Sequence, residues 1–452
     1  MSVNFFECDR KTSFLFPPSI EDWLPQGHLA RFVVEIVEQL DLRFLTESYA
    51  GRGSQPYNPS MLVALLFYGY AVGIFSSRKM ERSTYDSVAF RYIAANEHPD
   101  HDTIANFRKR FLKELSQLFV QILLVAHQMG VLKLGAVSLD GSKVKANASK
   151  HKALSYEHAC KLEAQIKAEV EQLLQKAEAA DVADTPDGLN IPAELERREE
   201  RLAAIQAAKV EIERRAAERY EVEKAAYEKK NAQREQKEQE TGKKPRGKQP
   251  KPPTPGPLGK DQVNLTDRDS RIMPTSSGGF EQAFNVQAGV DPAAKMIVSA
   301  HVTQEPNDKR QLMPVLEDLG GLPEELGAVT DLIADNGYFS EANVKACERQ
   351  GITPYIAVDR EPHNQALEDR FREPAALPED ADSVTRMKHR LKTLAGKAKY
   401  ALRKVTSEPV FGIIKAVMGF RSFHMRGYEA AQGEWNLVCM AWNIKRLHAL
   451  TT

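Results

Sequence analysis

The sequence predicts a mixed α/β domain that follows an all-helical region and is interrupted by an inserted helical hairpin. Helical periodicity runs through residues 20–130, short strand patterns begin after Lys133, and a long charged helical block separates the first strand from the next two. A chain of 452 residues is too long for one compact core, which indicates several domains. The predicted domains are 1–132 (helical, N-terminal), 133–149 with 263–452 (α/β), and 150–262 (inserted hairpin with a Pro/Lys-rich linker).

Three apolar patterns predict the helical N-terminal region. A stripe of apolar residues at 3/4 spacing begins at Leu29. The segment MLVALLFYGYAVGIF, which follows Pro59, is apolar on every side and must lie in a core. A third helix is predicted to begin near Asp102 or Thr103 and to end near Gly130.

Strand and helix patterns then alternate through the α/β domain. GAVSLD is a short apolar strand that ends at Asp140, and FNVQAGV (284–290) with MIVSAHV (296–302) predicts a hairpin. This order of elements is typical of a mixed α/β layer. The remaining predicted elements are a helix at about 306–318, a strand ending in LIADN, a helix from Ser340 to about Gly351, the strand TPYIAV and helices after about residue 384.

Residues 150–262 predict an antiparallel helical hairpin or coiled coil that interrupts the sheet. The segment DTPDGLNIP separates its two helices, and TGKKPRGKQPKPPTPGPLGK is predicted to be an extended, solvated linker. The apolar positions that mark the two helical faces are Leu162, Ile166, Val170, Leu173 and Ala177, and Leu195, Leu202, Ile205, Ile212 and Ala216.

Composition excludes several classes of protein. No apolar run approaches the length of about 18 residues that a membrane helix needs, and the N-terminus lacks the pattern of a signal peptide. The four cysteines form no CxxC pair, which argues against a zinc finger and fits reduced cytosolic thiols. We therefore expect a cytoplasmic protein without a membrane partner.

Charge is balanced overall but not along the chain. The 62 Lys and Arg residues equal the 62 Asp and Glu residues in number, yet residues 381–452 hold 13 basic and 4 acidic side chains. Such a basic tail is either a solvated face or a surface for nucleic acid, and the count alone does not decide between them.

Three acids lie in settings that suit metal chemistry: Asp140 in SLDGSKVKANAS, Asp335 in LIADNGYFS and Glu408 in EPVFGIIK. Mg²⁺ prefers oxygen ligands, and two such ions can hold both the attacking and the leaving oxygen of a displacement at phosphorus. Asp140 and Asp335 each follow an apolar strand, where ligand sites of α/β sheets lie. The alternative interpretation is that both are ordinary turn residues beside a glycine.

Glu408 precedes Pro409, which leaves two structures open. Either Glu408 caps a helix that starts at Pro409, or a longer helix kinks there; a solvated first-turn glutamate has the same sequence signature. Tyr400, Arg403, Glu408 and Lys415 form the pattern Y-x2-R-x4-E-x6-K. One acid for metal with basic partners for phosphate is what a DNA-cutting helix needs.

These motifs resemble those of bacterial insertion-sequence transposases of the DDE superfamily, whose catalytic domain has the ribonuclease H-like (retroviral-integrase) fold. The N-terminal segments PSMLVALLFYGYAVGIFSSRKMER and HDTIANFRKRF are similar to the helical N-terminal region of that group. The resemblance covers nearly the whole chain. Its further segments are SLDGSKVKANAS, FNVQAGVD, DLIADNGYFS, EPVFGIIK with the residues from Tyr400 to Lys415, GFRSFHMRG and GEWNLVCMAWNIKRL.

The resemblance implies that Asp140, Asp335 and Glu408 are the catalytic, metal-binding acids, with two Mg²⁺ ions in each site and Mn²⁺ as a substitute. It implies a DNA transposase that binds terminal inverted repeats, cuts double-stranded DNA at the element ends and joins them to target DNA. A homodimer or larger synaptic complex, associated with the bacterial nucleoid when active, is expected. The alternatives are a catalytically inactive transposase-derived DNA-binding protein and a ribonuclease H-like nuclease without strand transfer.

The same resemblance implies that Tyr400, Arg403 and Lys415 contact phosphate or flanking bases. The family signature has three residues between its Arg and Glu where this chain has four, so Lys404 competes with Arg403 for that role. The other residues predicted to bind DNA are Arg421, Arg426, Arg108, Lys109 and Arg110.

Several other acids are weighed as alternatives. Asp331 suits the start of a strand, and Glu305 and Asp308 are interpreted as first-turn acids of a helix. Glu434 ranks second to Glu408 as the third acid, because its helix lacks the flanking Tyr-Arg-Lys pattern.

The motif HPDHD, residues 98–102, resembles a metal cluster. A helix N-cap at Asp102 or Thr103 is the preferred interpretation. Trp435 and Trp442, seven residues apart, are interpreted as core residues rather than as platforms for a base.

Overall fold

The computed structural model describes residues 19–49, 56–183, 191–242, 247–275, 278–358, 372–378 and 380–452. The chain divides into two compact units, Met1–Val144 with Phe284–Thr452 and Lys145–Ala283. None of the helices in the described ranges combines the length and the apolar character that a membrane span requires.

The first unit begins with short helices packed around one apolar helix, α3, which is buried along nearly its whole length as its sequence predicts. Helix α6 begins at His101, and its N-cap is Asp100, whose Oδ1 accepts from the backbone N–H of Thr103 at 2.7 Å. The predicted N-cap at Asp102 or Thr103 is therefore wrong by two or three residues. The helices are α1 (Leu29–Gln39), α2 (Arg43–Thr46), α3 (Pro59–Ala71), α4 (Ser77–Asp86), α5 (Val88–Ile93), α6 (His101–Leu115) and α7 (Leu118–Gln128).

The second unit contains the inserted hairpin. A short antiparallel strand pair closes its base, where Leu154 pairs with Val263. The two long helices pack through an apolar seam that includes Ile166, Ile205 and Ile212, which confirms the predicted helical faces at these positions. Of the predicted breaker, 184–192, residues 184–190 lie outside the described residues, and its last two residues, Ile191 and Pro192, begin α9. The elements are β2 (Ala153–Ser155), α8 (Tyr156–Ala183), α9 (Ile191–Thr241), β3 (Gln262–Asn264) and β4 (Arg271–Pro274).

The sheet of the first unit has the strand order β6-β5-β1-β7-β8. β1 is parallel to β7, from Ala136 opposite Asp331 to Leu139 opposite Ala334, and β7 is parallel to β8. β5 and β6 form the predicted antiparallel hairpin. The strands are β1 (Ala136–Lys145), β5 (Phe280–Val290), β6 (Ile297–Thr303), β7 (Asp331–Ala334) and β8 (Thr353–Ile356).

Two predicted boundaries are wrong. β1 continues through Asp140 to Lys145, so Asp140 is not the last residue of its strand, although the pairing with β7 ends directly before it. The helix expected at about 306–318 begins only at Leu312. Asp308 is therefore a loop residue and not a first-turn acid. Its side chain accepts hydrogen bonds from the sheet instead of capping a helix.

The C-terminal helices cover the sheet. Pro409 lies inside α13, so Glu408 belongs to the longer of the two helices left open: it is a mid-helix residue and neither a cap nor a first-turn residue. Helix α14 is joined to β6 by Asn443. The side chain of Asn443 accepts from the N–H of Ile297 and donates to its C=O, each at 2.8 Å. The helices are α10 (Leu312–Gly320), α11 (Glu341–Arg349), α12 (Ser383–Lys392), α13 (Leu394–Ala416) and α14 (Tyr428–Thr451).

Gly433 allows α14 to approach α6 closely, because a Cβ at this position would lie 2.3 Å from Cγ of Leu112. We predict that Gly433→Ala lowers the free energy of unfolding by about 1–3 kcal/mol through overpacking. Thermal or urea denaturation measures the change. Gly412→Ala on α13 is the matched control: its Cβ would meet nothing within 4 Å, and it should stabilise by about 0.4–1 kcal/mol. Equal effects of the two substitutions would contradict this account of the packing.

Candidate active site

Asp140 lies on β1 at the point where the pairing with β7 ends. Its Oδ1 accepts from the backbone N–H of Gly141 at 2.9 Å, and its side chain is mostly buried. Two residues earlier on the same face of the strand, Ser138 shares a hydrogen bond of 3.2 Å with Ser407 on α13. This buried contact seats the helix of the third acid against the strand of the first.

Asp335 follows β7 directly and starts a short 3-10 helix, Asn336–Tyr338. Its Oδ1 accepts from the N–H of Gly337 at 2.8 Å, which fixes the carboxylate at the end of the strand. The parallel register places Ala334 opposite Leu139, so Asp335 and Asp140 both emerge at the same edge of the sheet.

Glu408 reaches this edge from α13 and pairs with Arg403. Nη2 of Arg403 lies 2.7 Å from Oε1 of Glu408, and Nη1 lies 4.0 Å from Oδ2 of Asp140. The guanidinium therefore stands between the first and third acids. Lys404 is exposed, so Arg403 and not Lys404 is the basic residue that the helix presents to the acids.

The three acids and the arginine share one electrostatic site. Burial, followed by the negative charges of Asp335 and Glu408, raises the pKa of Asp140 to about 6, against the opposing effects of the Gly141 N–H and Arg403. Burial alone would lower the pKa of Arg403, but the nearby Tyr400 and the acids outweigh it and raise the pKa. The arginine stays charged, and it partly neutralises the carboxylates around it.

Lys415, predicted to contact phosphate, lies at the far end of α13 and bonds to β1. Its Nζ donates to Oγ of Ser142 and to the carbonyl of Lys143, the latter at 2.9 Å. Burial and the neighbouring Lys143 lower the pKa of Lys415. This contact makes Lys415 a second tie between α13 and β1.

The residues predicted to bind DNA elsewhere fall into two groups. Arg108 is buried, and its Nη1 donates to the hydroxyl of Tyr70 at 3.0 Å and to the carbonyl of Phe75 at 2.8 Å, so it is not placed to bind a phosphate. Exposed side chains belong to Lys109, Arg110, Arg421 and Arg426.

Glu434, the second-ranked third acid, is fully buried on α14. It accepts from the hydroxyl of Tyr70 at 2.9 Å and from the backbone N–H groups of His424 and Met425. These donors satisfy the carboxylate of Glu434 inside the core, whereas the carboxylate of Glu408 is exposed. Trp435 is buried beside it, as predicted, and its Nε1 donates to the carbonyl of Gln287.

Asp308, predicted to be a first-turn acid of a helix, instead contacts β5. Its Oδ1 accepts from the side-chain amides of Asn285 and Gln287, each at 2.7 Å. The polar character of those two residues within the pattern FNVQAGV signalled a buried polar contact, but no local rule links them to Asp308.

The donor chemistry of the triad fits a hard divalent cation, since carboxylate oxygens from three different elements meet at one edge of the sheet. Among the described residues, however, no three His, Cys, Asp or Glu side chains are close enough to hold one metal ion as they stand. Glu408 is the adjustable member, because its side chain is 48% exposed and pairs with Arg403. Nε of Arg403 is buried and finds no hydrogen-bond partner in the part of the chain that the structure describes, so the site has an unused donor there.

Two protein-family models match the chain: Transposase domain (DUF772) over residues 18–110 and Transposase DDE domain over residues 259–444. Together they cover more than half of the sequence, and no curated protein and no solved structure matches it. The chain belongs to the insertion-sequence transposases of the DDE superfamily. This confirms the predicted family and its fold class, a helical N-terminal region followed by a ribonuclease H-like mixed sheet with an inserted helical hairpin.

The match to the DDE domain contains Asp335 and Glu408, whereas Asp140 lies between the two matched ranges. What places Asp140 beside the other two acids is the register of β1 with β7 and their electrostatic interaction.

The raised pKa of Asp140 predicts a pH-dependent stability of the metal-free protein. Above pH 6 the carboxyl of Asp140 is ionised in both the folded and the unfolded protein, and its charged form is unfavourable in the folded protein. Below its ordinary pKa of 3.8 it is neutral in both. We predict that Asp140→Asn stabilises the protein by about 1–3 kcal/mol at pH 7–8 and that this gain disappears between pH 6 and 4. Thermal denaturation in EDTA across this range measures it.

Asp331→Asn is the matched control for that experiment, because Asp331 begins β7 and pairs with Lys399 at 2.8 Å. It should show no stabilisation at any pH. If the gain in stability of Asp140→Asn did not depend on pH, the charged form of the Asp140 carboxyl would not be what destabilises the folded protein.

Proposed function

We propose that this protein is a DNA transposase that binds the terminal inverted repeats of its element, cuts DNA at the element ends and transfers the strands to target DNA. Asp140, Asp335 and Glu408 are its catalytic, metal-binding acids. The observation that supports this most is the convergence of the three acids, with Arg403 between two of them, from a strand, a strand end and a helix far apart in sequence.

The DDE family generally uses divalent metal ions, and Mg²⁺ is proposed here, with Mn²⁺ as a substitute and two ions in each site. When bound, such ions supply Lewis-acid activation of the attacking oxygen and neutralise charge at phosphorus. Asp140 and Asp335 would hold them from the edge of the sheet, and Glu408 would complete the ligand set from α13. Since water or a DNA 3′-hydroxyl is the nucleophile, the reaction needs no covalent protein–DNA intermediate.

Arg403 is proposed to bind the phosphate next to the cut. Its planar guanidinium suits paired contacts with phosphate oxygens, and none of the described residues accepts a hydrogen bond from its buried Nε. Tyr400 lies close enough to raise the pKa of Arg403. The exposed basic residues proposed to contact the DNA backbone are Lys404, Arg421, Arg426, Lys109 and Arg110.

The assembly is proposed to be a homodimer or a larger synaptic complex, because two element ends must be brought together. The predicted domain boundaries, 1–132, 133–149 with 263–452, and 150–262, remain part of this proposal: the helical N-terminal region binds the repeats, and the hairpin is a candidate interface. A bacterial cytoplasmic protein associated with the nucleoid when active fits these roles.

The experiment that tests the function is strand cleavage and joining on element-end DNA with Mg²⁺ or Mn²⁺. We predict that Asp335→Ala lowers both rates by at least about a hundredfold while DNA binding is retained, because the acid acts in chemistry and not in docking. Glu341→Ala, an exposed acid at the start of α11, is the matched control and should keep wild-type rates.

The outcomes separate the alternatives. Full activity of Asp335→Ala would sink the assignment of the triad. Cleavage by the wild-type protein without joining would indicate a nuclease, and DNA binding without either reaction would indicate an inactive transposase-derived binding protein.

A further inference from the structure

Asp308 lies beneath both acid-bearing segments of the site. A Cβ built on Gly141, the residue after Asp140, would lie 2.6 Å from Oδ1 of Asp308. A Cβ built on Gly337, in the turn that Asp335 starts, would lie 3.6 Å from Oδ2 of Asp308 and 2.9 Å from Oδ1 of Asp335. One carboxylate therefore lies against the backbone that follows each of the two aspartates.

Asp308 is connected to the Asp335 turn by a directional chain of hydrogen bonds. The hydroxyl of Tyr338 donates to Oε1 of Gln287, and Nε2 of Gln287 donates to Oδ1 of Asp308 at 2.7 Å. Because the carboxylate of Asp308 only accepts hydrogen bonds, the Gln287 amide must turn its N–H toward Asp308. Its Oε1 then faces Tyr338 and accepts from the hydroxyl of that residue.

A second route joins the same loop to the same turn. Nδ2 of Asn343 donates to the carbonyl of Lys309 at 2.8 Å and to the carbonyl of Tyr338 at 2.7 Å. Asn285 adds a further tie, since its Nδ2 donates to Asp308 and to the carbonyl of Glu305.

We propose that Asp308 is a positioning residue for the two catalytic aspartates. Through the hydrogen bonds that it accepts from Asn285 and Gln287, it fixes the Gly141 segment and the Asp335 turn relative to one another. This inference rests on the proposed function for its meaning in catalysis, but the positioning itself is a property of the folded chain.

Asn285, Gln287, Asp308, Tyr338 and Asn343 are called the amide clasp below. Their side chains are buried or largely buried, and the bonds among them leave little freedom for the Asp335 turn. A displacement of about 1 Å at a reacting group is enough to cost roughly a hundredfold in rate. The clasp therefore acts on the reaction without touching its atoms.

The test compares Asp308→Ala with Asp308→Asn. Asparagine keeps a carbonyl oxygen that accepts both amide N–H groups, whereas alanine leaves two buried donors unpaired. We expect amide hydrogen exchange in residues 336–338 to speed up about tenfold or more in Asp308→Ala and to stay near wild type in Asp308→Asn. Element-end cleavage should fall by about a hundredfold in the alanine variant and by less than about threefold in the asparagine variant, with the Kd for DNA unchanged.

Glu305→Ala is the matched control, because Glu305 lies in the same loop but pairs at the surface with Arg310. It should leave exchange and cleavage unchanged. If Asp308→Ala does not yield folded protein, Tyr338→Phe removes only the hydroxyl that starts the chain of bonds, and it should also accelerate exchange in the turn while Asp308→Asn does not.

Three results would overturn the proposal: wild-type exchange in the variant that breaks the clasp, faster exchange without any loss of cleavage, or an Asp308→Asn variant as impaired as the alanine variant. The last would mean that the charge of Asp308 matters instead of its hydrogen bonds. Should the wild-type protein itself fail to cut DNA, the proposed function falls, and the exchange measurements still decide whether Asp308 positions the turn.

Discussion

Burial of the Asp140 carboxylate beside two other acids is the constraint on which the active-site region depends. Burial first, and then the charges of Asp335 and Glu408, raise the pKa of Asp140 to about 6. Arg403 offsets part of this by standing between Asp140 and Glu408. Such an arrangement costs stability in the free protein, and it persists only because the surrounding packing determines it.

That packing comes from contacts far apart in sequence. Ser138 and Ser407 join β1 to α13, and the register of β1 with β7 brings Asp140 and Asp335 to one edge. On β5, Gln287 accepts from Trp435 through its backbone and donates to Asp308 through its side chain, so one residue contacts both α14 and the Asp308 loop. The elements that carry the acids are thus also fixed by packing contacts that do not involve the acids.

Local sequence rules identified the elements better than their ends. The strand patterns, the hairpin and the motif around Glu408 predicted the fold class, because hydrophobic periodicity reports which face of an element is buried. The same rules failed at Asp308, where partners 21 and 23 residues away decide its role, and at Arg108, whose partners Tyr70 and Phe75 bury it. Residue type and spacing carry no information about such long-range partners.

The basic residues show the same limit of local rules. A count treats Arg108, Lys415 and Arg403 alike, but their partners differ. Arg108 bonds within the core, Lys415 bonds to β1, and Arg403 pairs with the acids. What is left for a polyanion is the exposed set, and part of it, Lys404 and Arg421, lies on or just after the helix that carries Glu408. Phosphate contacts set the register of a duplex, so the contacts proposed for Lys404 and Arg421 would place the DNA relative to the helix that carries Glu408. In the proposed function, docking of the DNA backbone would therefore also position the scissile phosphate.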